Sequence, residues 1–349
     1  MKRLLTAIFS IILASSFCIA QAKDSQVKML AAISQKPAEQ NYLWVGTFQM
    51  VWNEFADNIV KGPILFKNYK SPLADLLNKQ EFKKSMLSED SYYTAFGPTN
   101  IELKKQIEDA IMQKFNEKSD LLDKIDWYHP NNAYLFYAML IKNFDFQARF
   151  DMLADGKFAN SKEQVPYFGI DKKSRDTLYD KVHVLFYNNP FDYAVALDSD
   201  KDEVILYRTN TKKDFLSLYN SLEQKSKKYK GNKAFVAGDQ LKVPYMSIKQ
   251  DASYDKLCGK EILNTDRLYI DKALQTVQFN MNNRGVKLKS EAVMNIMTMS
   301  MPIMVAQNGR NFFFNNTFVL FMKEKDKSVP YFAIRVKDMS SFKYTGEIK

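Results

Sequence analysis

Few residues in this chain could carry covalent chemistry. It has two histidines, His129 and His183, and two cysteines, Cys18 and Cys258. A histidine-assisted nucleophile would need one of those imidazoles. His129, however, precedes Pro130 in a loop, and His183 lies in the apolar run Val182-His183-Val184-Leu185, where a core histidine is expected. There is no G-x-S-x-G, no phosphate-binding glycine loop, no H-E-x-x-H and no paired-cysteine signature. Asp198, Asp200 and Asp202 read as a charged turn between strands rather than as a general acid and base. So sparse a set of ligands makes a structural zinc site improbable. The expectation is a chain that is not an enzyme and holds no cofactor or metal.

What remains is a patterned stretch from Gly285 to Pro302. If Gly285 to Ala292 forms a strand, the two-residue period puts Val286, Leu288, Ser290 and Ala292 on one face and Lys287, Lys289 and Glu291 on the other. Such a strand can lie in a sheet with one buried face. It runs into a methionine-rich segment, Met294, Met297, Met299, Met301 and Met304, whose flexible apolar side chains suit an adaptable contact surface.

Two helices and a series of strands must position this stretch. Apolar spacing predicts a helix over Tyr42 to Val60, ended by Gly62-Pro63, and another over Ile101 to Phe115 after Pro98-Thr99-Asn100. From Tyr134 onward strand patterns dominate, with helical interruptions at Lys213 to Lys228 and around Tyr254 to Leu257. Helices early and strands late fit an α+β domain rather than a βαβ array. There is no internal repeat or flexible linker. The Asn315-Asn316-Thr317 triplet leads straight into an apolar strand and is read as incidental.

Several segments, taken in order, resemble the serpin family. Leu135 to Phe150 is similar to N-A-x-Y-F-K-G-x-W-x-x-x-F, with Phe150 in place, Phe146 at the tryptophan, and Ala138 and Lys142 one position early. Gly156-Lys157-Phe158 with Val165-Pro166-Tyr167-Phe168 is similar to F-x-x-x-x-x-x-V-x-V-P-x-M, and Val182 to Tyr207 resembles the strand pair ending in I-x-L-P. Val243 to Ile248 is similar to V-x-L-P-x-F-x-I, and Gln275 to Gly285 to H-K-A-x-x-x-V-x-E-x-G. Phe318 to Phe321 and Val329 to Val336 are similar to the closing P-F-L-F and I-L-F-M-G-R-V. The resemblance spans about residues 130–340.

It implies a single domain over 23–349, with N-terminal helices packed on a large central mixed or antiparallel sheet, a smaller C-terminal sheet, and an exposed reactive-centre-type loop at 285–302. Gly285, Val286, Leu288, Ser290 and Ala292 take the place of the family's hinge. Its spacing puts the scissile bond fourteen residues after the hinge glycine, at Met299-Ser300. The implied activity is suicide inhibition of a serine protease. An unbranched apolar side chain at that bond suits elastase-, chymotrypsin- or subtilisin-like pockets. The sequence also departs from the family. Gln275 replaces the shutter histidine, Asn283 an acid, and Lys287 and Leu288 small hinge residues, while about seven extra residues separate Ser300 from Phe318. These changes leave a second reading open: a non-inhibitory binding protein of the cell envelope, with the methionine-rich loop as its contact surface.

The first 22 residues read as a secretory leader, with Lys2-Arg3, an apolar run from Leu4 to Ala20, and the small-x-small site Ala20-Gln21-Ala22. Bulky Phe17 before Cys18 disfavours lipidation. The mature protein is expected to be secreted or periplasmic, monomeric and without a spanning helix. Losing Lys2 and Arg3 takes the formal charge from +10 to +8. That excess is dispersed among acids, so no nucleic-acid partner is expected. Only Cys258 survives processing, which excludes an internal disulfide. The chain must then rely on its core, and 46% apolar with 14% aromatic residues can build one. N-terminal sequencing of exported protein should begin at Lys23; an acylated Cys18 at the start would instead identify a lipoprotein.

Overall fold

The computed structural model describes residues 27–128, 134–159, 161–288 and 309–342. The leader, Met299, Ser300, Ser290 and Ala292 lie outside them. Strands β1 (Lys28–Leu30) and β2 (Tyr42–Val45) precede helix α1 (Thr47–Phe55), and helix α2 (Pro72–Leu77) follows. Strand β3 (Tyr92–Pro98), helix α3 (Ile101–Phe115), β4 (Tyr134–Leu140) and β5 (Lys142–Asp145) come next. They are followed by β6 (Asp151–Lys157), β7 (Gln164–Ile170), β8 (Val182–Asn189), β9 (Asp192–Asp198), β10 (Asp202–Arg208) and helix α4 (Phe215–Lys228). The remaining strands are β11 (Gln240–Pro244), β12 (Met246–Ser253), β13 (Leu274–Met281), β14 (Gly285–Leu288), β15 (Asn311–Phe313), β16 (Phe318–Glu324) and β17 (Phe332–Val336).

The base of the molecule is a seven-stranded sheet in the order β1-β2-β17-β16-β10-β9-β8. Its central strands are apolar without alternation, and every residue of β16 and β17 is buried because both faces are covered. Helix α4 covers one side, with Phe215 and Tyr219 edge-on to Phe321. Asp214 caps α4 by accepting from the Ser217 amide, and Lys225, Lys227 and Lys228 sit at its negative end. Phe279 of β13 stacks on Phe332, joining this base to a second sheet, β12-β13-β14-β5. A third sheet, β15-β11-β7-β6, packs Phe312 against Tyr193.

Three expectations need correction. Tyr42 to Val45 is a strand, not the first turn of a helix. All four side chains are buried, and Gly46 then lets the chain pass the Phe82 ring, which a Cβ there would approach to 2.2 Å. The helical spacing holds from Thr47, where α1 begins, and runs through a wider turn to Val60. His183 is not a core residue. Strand β8 is an edge with one solvated face, so Val182 and Val184 point inward while the half-exposed imidazole meets Asp198 at 2.8 Å. The aspartates are not all solvated either, since Asp202 is buried.

The base sheet should carry most of the stability. Phe321→Ala removes a fully buried ring and should cost about 3–5 kcal/mol, whereas Met152→Ala, at an exposed position on β6, should stay within about 0.5 kcal/mol. Denaturant midpoints compare the two.

Candidate functional site: a cleft between strand edges

The patterned stretch begins inside the protein. Asn282 to Arg284 turn the chain at the end of β13, with the Asn282 side chain accepting from the amides of Arg284 and Gly285. The chain then runs back as β14, antiparallel to both neighbours, with Val286 opposite Met281 of β13 and Phe144 of β5. Val286 and Leu288 are buried and Lys287 is partly exposed, as a two-residue period requires. Gly285 is constrained by contact: a Cβ would come within 2.2 Å of the Phe144 carbonyl oxygen and 2.7 Å of Asp145 Cα. Residues 285–288 therefore form a buried strand, which corrects the expectation that the loop is exposed from Gly285.

Below Leu288 the two flanking strands continue, and among the described residues no strand lies between them. In antiparallel pairing, backbone groups alternate between the two edges. The Tyr254 amide bonds the Ala273 carbonyl and the Asn282 amide bonds the Gly285 carbonyl, so the amides of Leu274, Thr276 and Gln278 face away from β12 and into the gap. On the other side the Ile141 amide bonds Ser91, so Phe136, Ala138 and Leu140 turn their amides away from β3 and toward the same gap. Among the described residues no strand pairs with either of these edges. The gap forms a cavity of about 510 Å³. Phe48, Trp52 and Phe55 of α1 line it from behind, and Asp120, Leu121 and Ile125 close it in front.

The front segment is tied across the gap. Asp120 accepts from Gln278 Nε2 at 2.9 Å and from Lys249 at 3.4 Å, and Lys124 pairs with Asp251 at 2.6 Å. At the back, Gln275 is buried and satisfied on both sides of its amide. Tyr254 donates to its oxygen at 2.6 Å, and its nitrogen donates to Thr47 Oγ1 at 2.8 Å and the Val45 carbonyl at 3.3 Å. Burial raises the Tyr254 phenol far above its ordinary value, so it remains a donor. A histidine at 275 would titrate near neutrality; glutamine makes this junction independent of pH.

The far end of the loop is clamped. Gly309 lies against the Gly238 carbonyl, where a Cβ would come within 1.6 Å, and Arg310 pairs with the buried Asp239 at 2.6 Å while donating to the carbonyls of Asn232 and Ala234. The Arg310–Asp239 clamp escaped sequence reading because its partners are 71 residues apart; the glycine before a lone arginine was the available hint. His129 lies outside the described residues, His183 is not part of the cleft's lining, and among the described residues no cluster of His, Cys, Asp or Glu is arranged to hold a metal. No helix among them is long and apolar enough to cross a membrane.

Gly285→Ala should lower stability by about 1–3 kcal/mol through overpacking against β5 and should speed amide exchange at 286–288. An unchanged denaturant midpoint would mean that β14 does not hold this position in solution.

No family model matches the sequence, and no curated protein matches it either. Solved structures do. Thyroxine-binding globulin in complex with thyroxine superposes with a TM-score of 0.51 at 11% identity, covering 85% of this chain and 92% of that one. Serpin48 of the insect Tenebrio molitor gives 0.49 at 13% identity, covering 86% and 92%. A serpin of Schistosoma mansoni gives 0.40 at 15% identity, covering 66% and 62%. The superposition on the globulin covers most of both chains, and this chain, with its helices, its seven-stranded sheet and its smaller sheets, has a serpin-like fold.

Proposed function

We propose that the protein is an exported suicide inhibitor of serine proteases of the elastase, chymotrypsin or subtilisin type. The supporting observation is the strand-wide gap below β14, whose two edges offer, in matching phase, backbone groups that pair with no strand among the described residues. On insertion, continuing both registers would bring Ser290 opposite Val277 and Leu140, and Ala292 opposite Gln275 and Ala138. These small residues would then face the α1 side, with Lys289 and Glu291 toward the front. Attack by the protease serine on the Met299 carbonyl breaks the bond to Ser300, whose amine leaves with a proton, and the protease remains esterified to Met299. The freed segment then enters the gap as a strand and carries the acyl-enzyme with it. Gly309 and Arg310 stay clamped at the other end. The stabilisation is the pairing of two strand edges that have no strand partner among the described residues.

A second reading has its own support. Leu288 is larger than an alanine and already fills the top rung, and the thyroxine-binding globulin with the same fold is a binding protein. In that reading the chain is an envelope binding protein with its methionine-rich loop as contact surface.

Cleavage near Met299 should raise the melting temperature, by about 2–4 °C for each kcal/mol gained. Incubation with an elastase- or subtilisin-type protease should yield a complex that survives SDS. Val286→Arg forces a charge into a buried position and should abolish that complex. Oxidising Met299 to the polar sulfoxide should weaken inhibition while Met299→Leu resists it. A cleaved chain that melts no higher than the intact one would favour the binding protein, and inhibition indifferent to oxidation would move the scissile bond elsewhere.

A further inference from the structure

Lys142, Asp202 and Glu324 form a buried ionic cluster that the proposed insertion step does not use. Lys142 Nζ lies 3.0 Å from Asp202 Oδ1 and 2.5 Å from Glu324 Oε1, with all three side chains no more than 6% exposed. Asp202 and Glu324 are register partners on β10 and β16. Tyr331 donates its hydroxyl to Asp202 at 3.0 Å and sets its ring 5.1 Å from the ammonium. One cation faces two carboxylates, more than charge neutralisation alone requires, and burying such groups seldom adds stability by itself.

Its connections suggest what it is for. Lys142 opens β5 directly after β4 and lies opposite Leu288, the rung at which β14 ends. Glu324 accepts from the Ser88 amide at 3.0 Å, the Ser88 hydroxyl at 2.6 Å and the Ser91 hydroxyl at 3.3 Å. Ser91 immediately precedes β3, and its carbonyl takes the Ile141 amide at 2.9 Å. A carboxylate on the rigid base sheet thus holds both the chain entering β3 and the chain leaving β4. The gap runs along the β4 edge below that grip.

The geometry points to Glu324, with Lys142, as the pivot of the β3–β4 panel: positioning residues that fix the top of the gap at strand width while the lower panel swings to admit a strand. This rests on the insertion reading for its purpose, but not for its test.

Hydrogen exchange on the intact full-length protein tests it. Ser88→Ala combined with Ser91→Ala removes the two hydroxyl bonds of the grip and leaves the Ser88 amide bond and the ionic cluster in place; Glu324→Gln leaves Lys142 paired with Asp202. Both should speed exchange at 92–98 and 134–140 roughly tenfold, the weight of a hydrogen bond to a charged group, with β9, β10 and β16 unchanged. The stabilisation that follows loop cleavage should also develop faster in both. Panel exchange at the wild-type rate, or a rise shared equally by β9, β10 and β16, would overturn the pivot and leave the inhibitor reading standing. Faster panel exchange in a protein that gains no stability on cleavage would support the pivot and remove the inhibitor reading. Should Glu324→Gln fail to fold, the serine double variant, which leaves every buried charge paired, decides the matter alone.

Discussion

Two strand edges that have no strand partner among the described residues, facing each other across one gap, are the constraint on which the rest of this structure depends. Backbone amides and carbonyls withdrawn from water must be paired, and proteins normally blunt or cover an open edge. Here the edges of β4 and β13 are covered, by α1 behind and by residues 119–126 in front, but they are not paired with each other. Their phases match: alternate amides on each side point into the gap, and both ladders are already joined to β14 at the top. A chain segment arriving in register would meet donors and acceptors on both sides at once.

The surrounding residues fit that constraint. Gly285 allows β14 to press on the backbone of β5, and Gln275 ties β13 to the start of α1 without a titrating group. Arg310 and Asp239 fix the foot of the loop on the third sheet. The central strands β16 and β17 of the seven-stranded base are buried on both faces and give these parts a frame, while the β3–β4 panel and α3 pack in a smaller core of their own around Ile107 and Tyr137.

Much of the architecture was legible in the sequence because it rests on local signals. Ile101 to Phe115 carries its helix in its spacing and in Asn100, which caps it, and the ordered apolar segments from Tyr134 to Val336 mark strands. The alternation from Gly285 gave the correct faces for Val286, Lys287 and Leu288. Where the reading failed, long-range packing had overridden local pattern. Tyr42 to Val45 has helix-compatible spacing but is held between β1 and β17. His183 sits in an apolar run, yet its strand is a sheet edge. Asp202 looks like part of a solvated turn but is buried against Lys142 and Tyr331, which lie 60 or more residues away in the chain. The gap itself has no sequence signature, since it consists of backbone groups that pair with no strand among the described residues.

Hydrogen exchange at Leu274, Thr276 and Gln278 on one edge, and at Phe136, Ala138 and Leu140 on the other, compared before and after cleavage of the loop, tests the central claim most directly. If the freed segment enters the gap, these six amides become protected while their alternating neighbours, already bonded to β12 and β3, change little. Equal exchange in intact and cleaved protein would contradict the account, because it would mean that the gap stays empty when the strand is free to fill it.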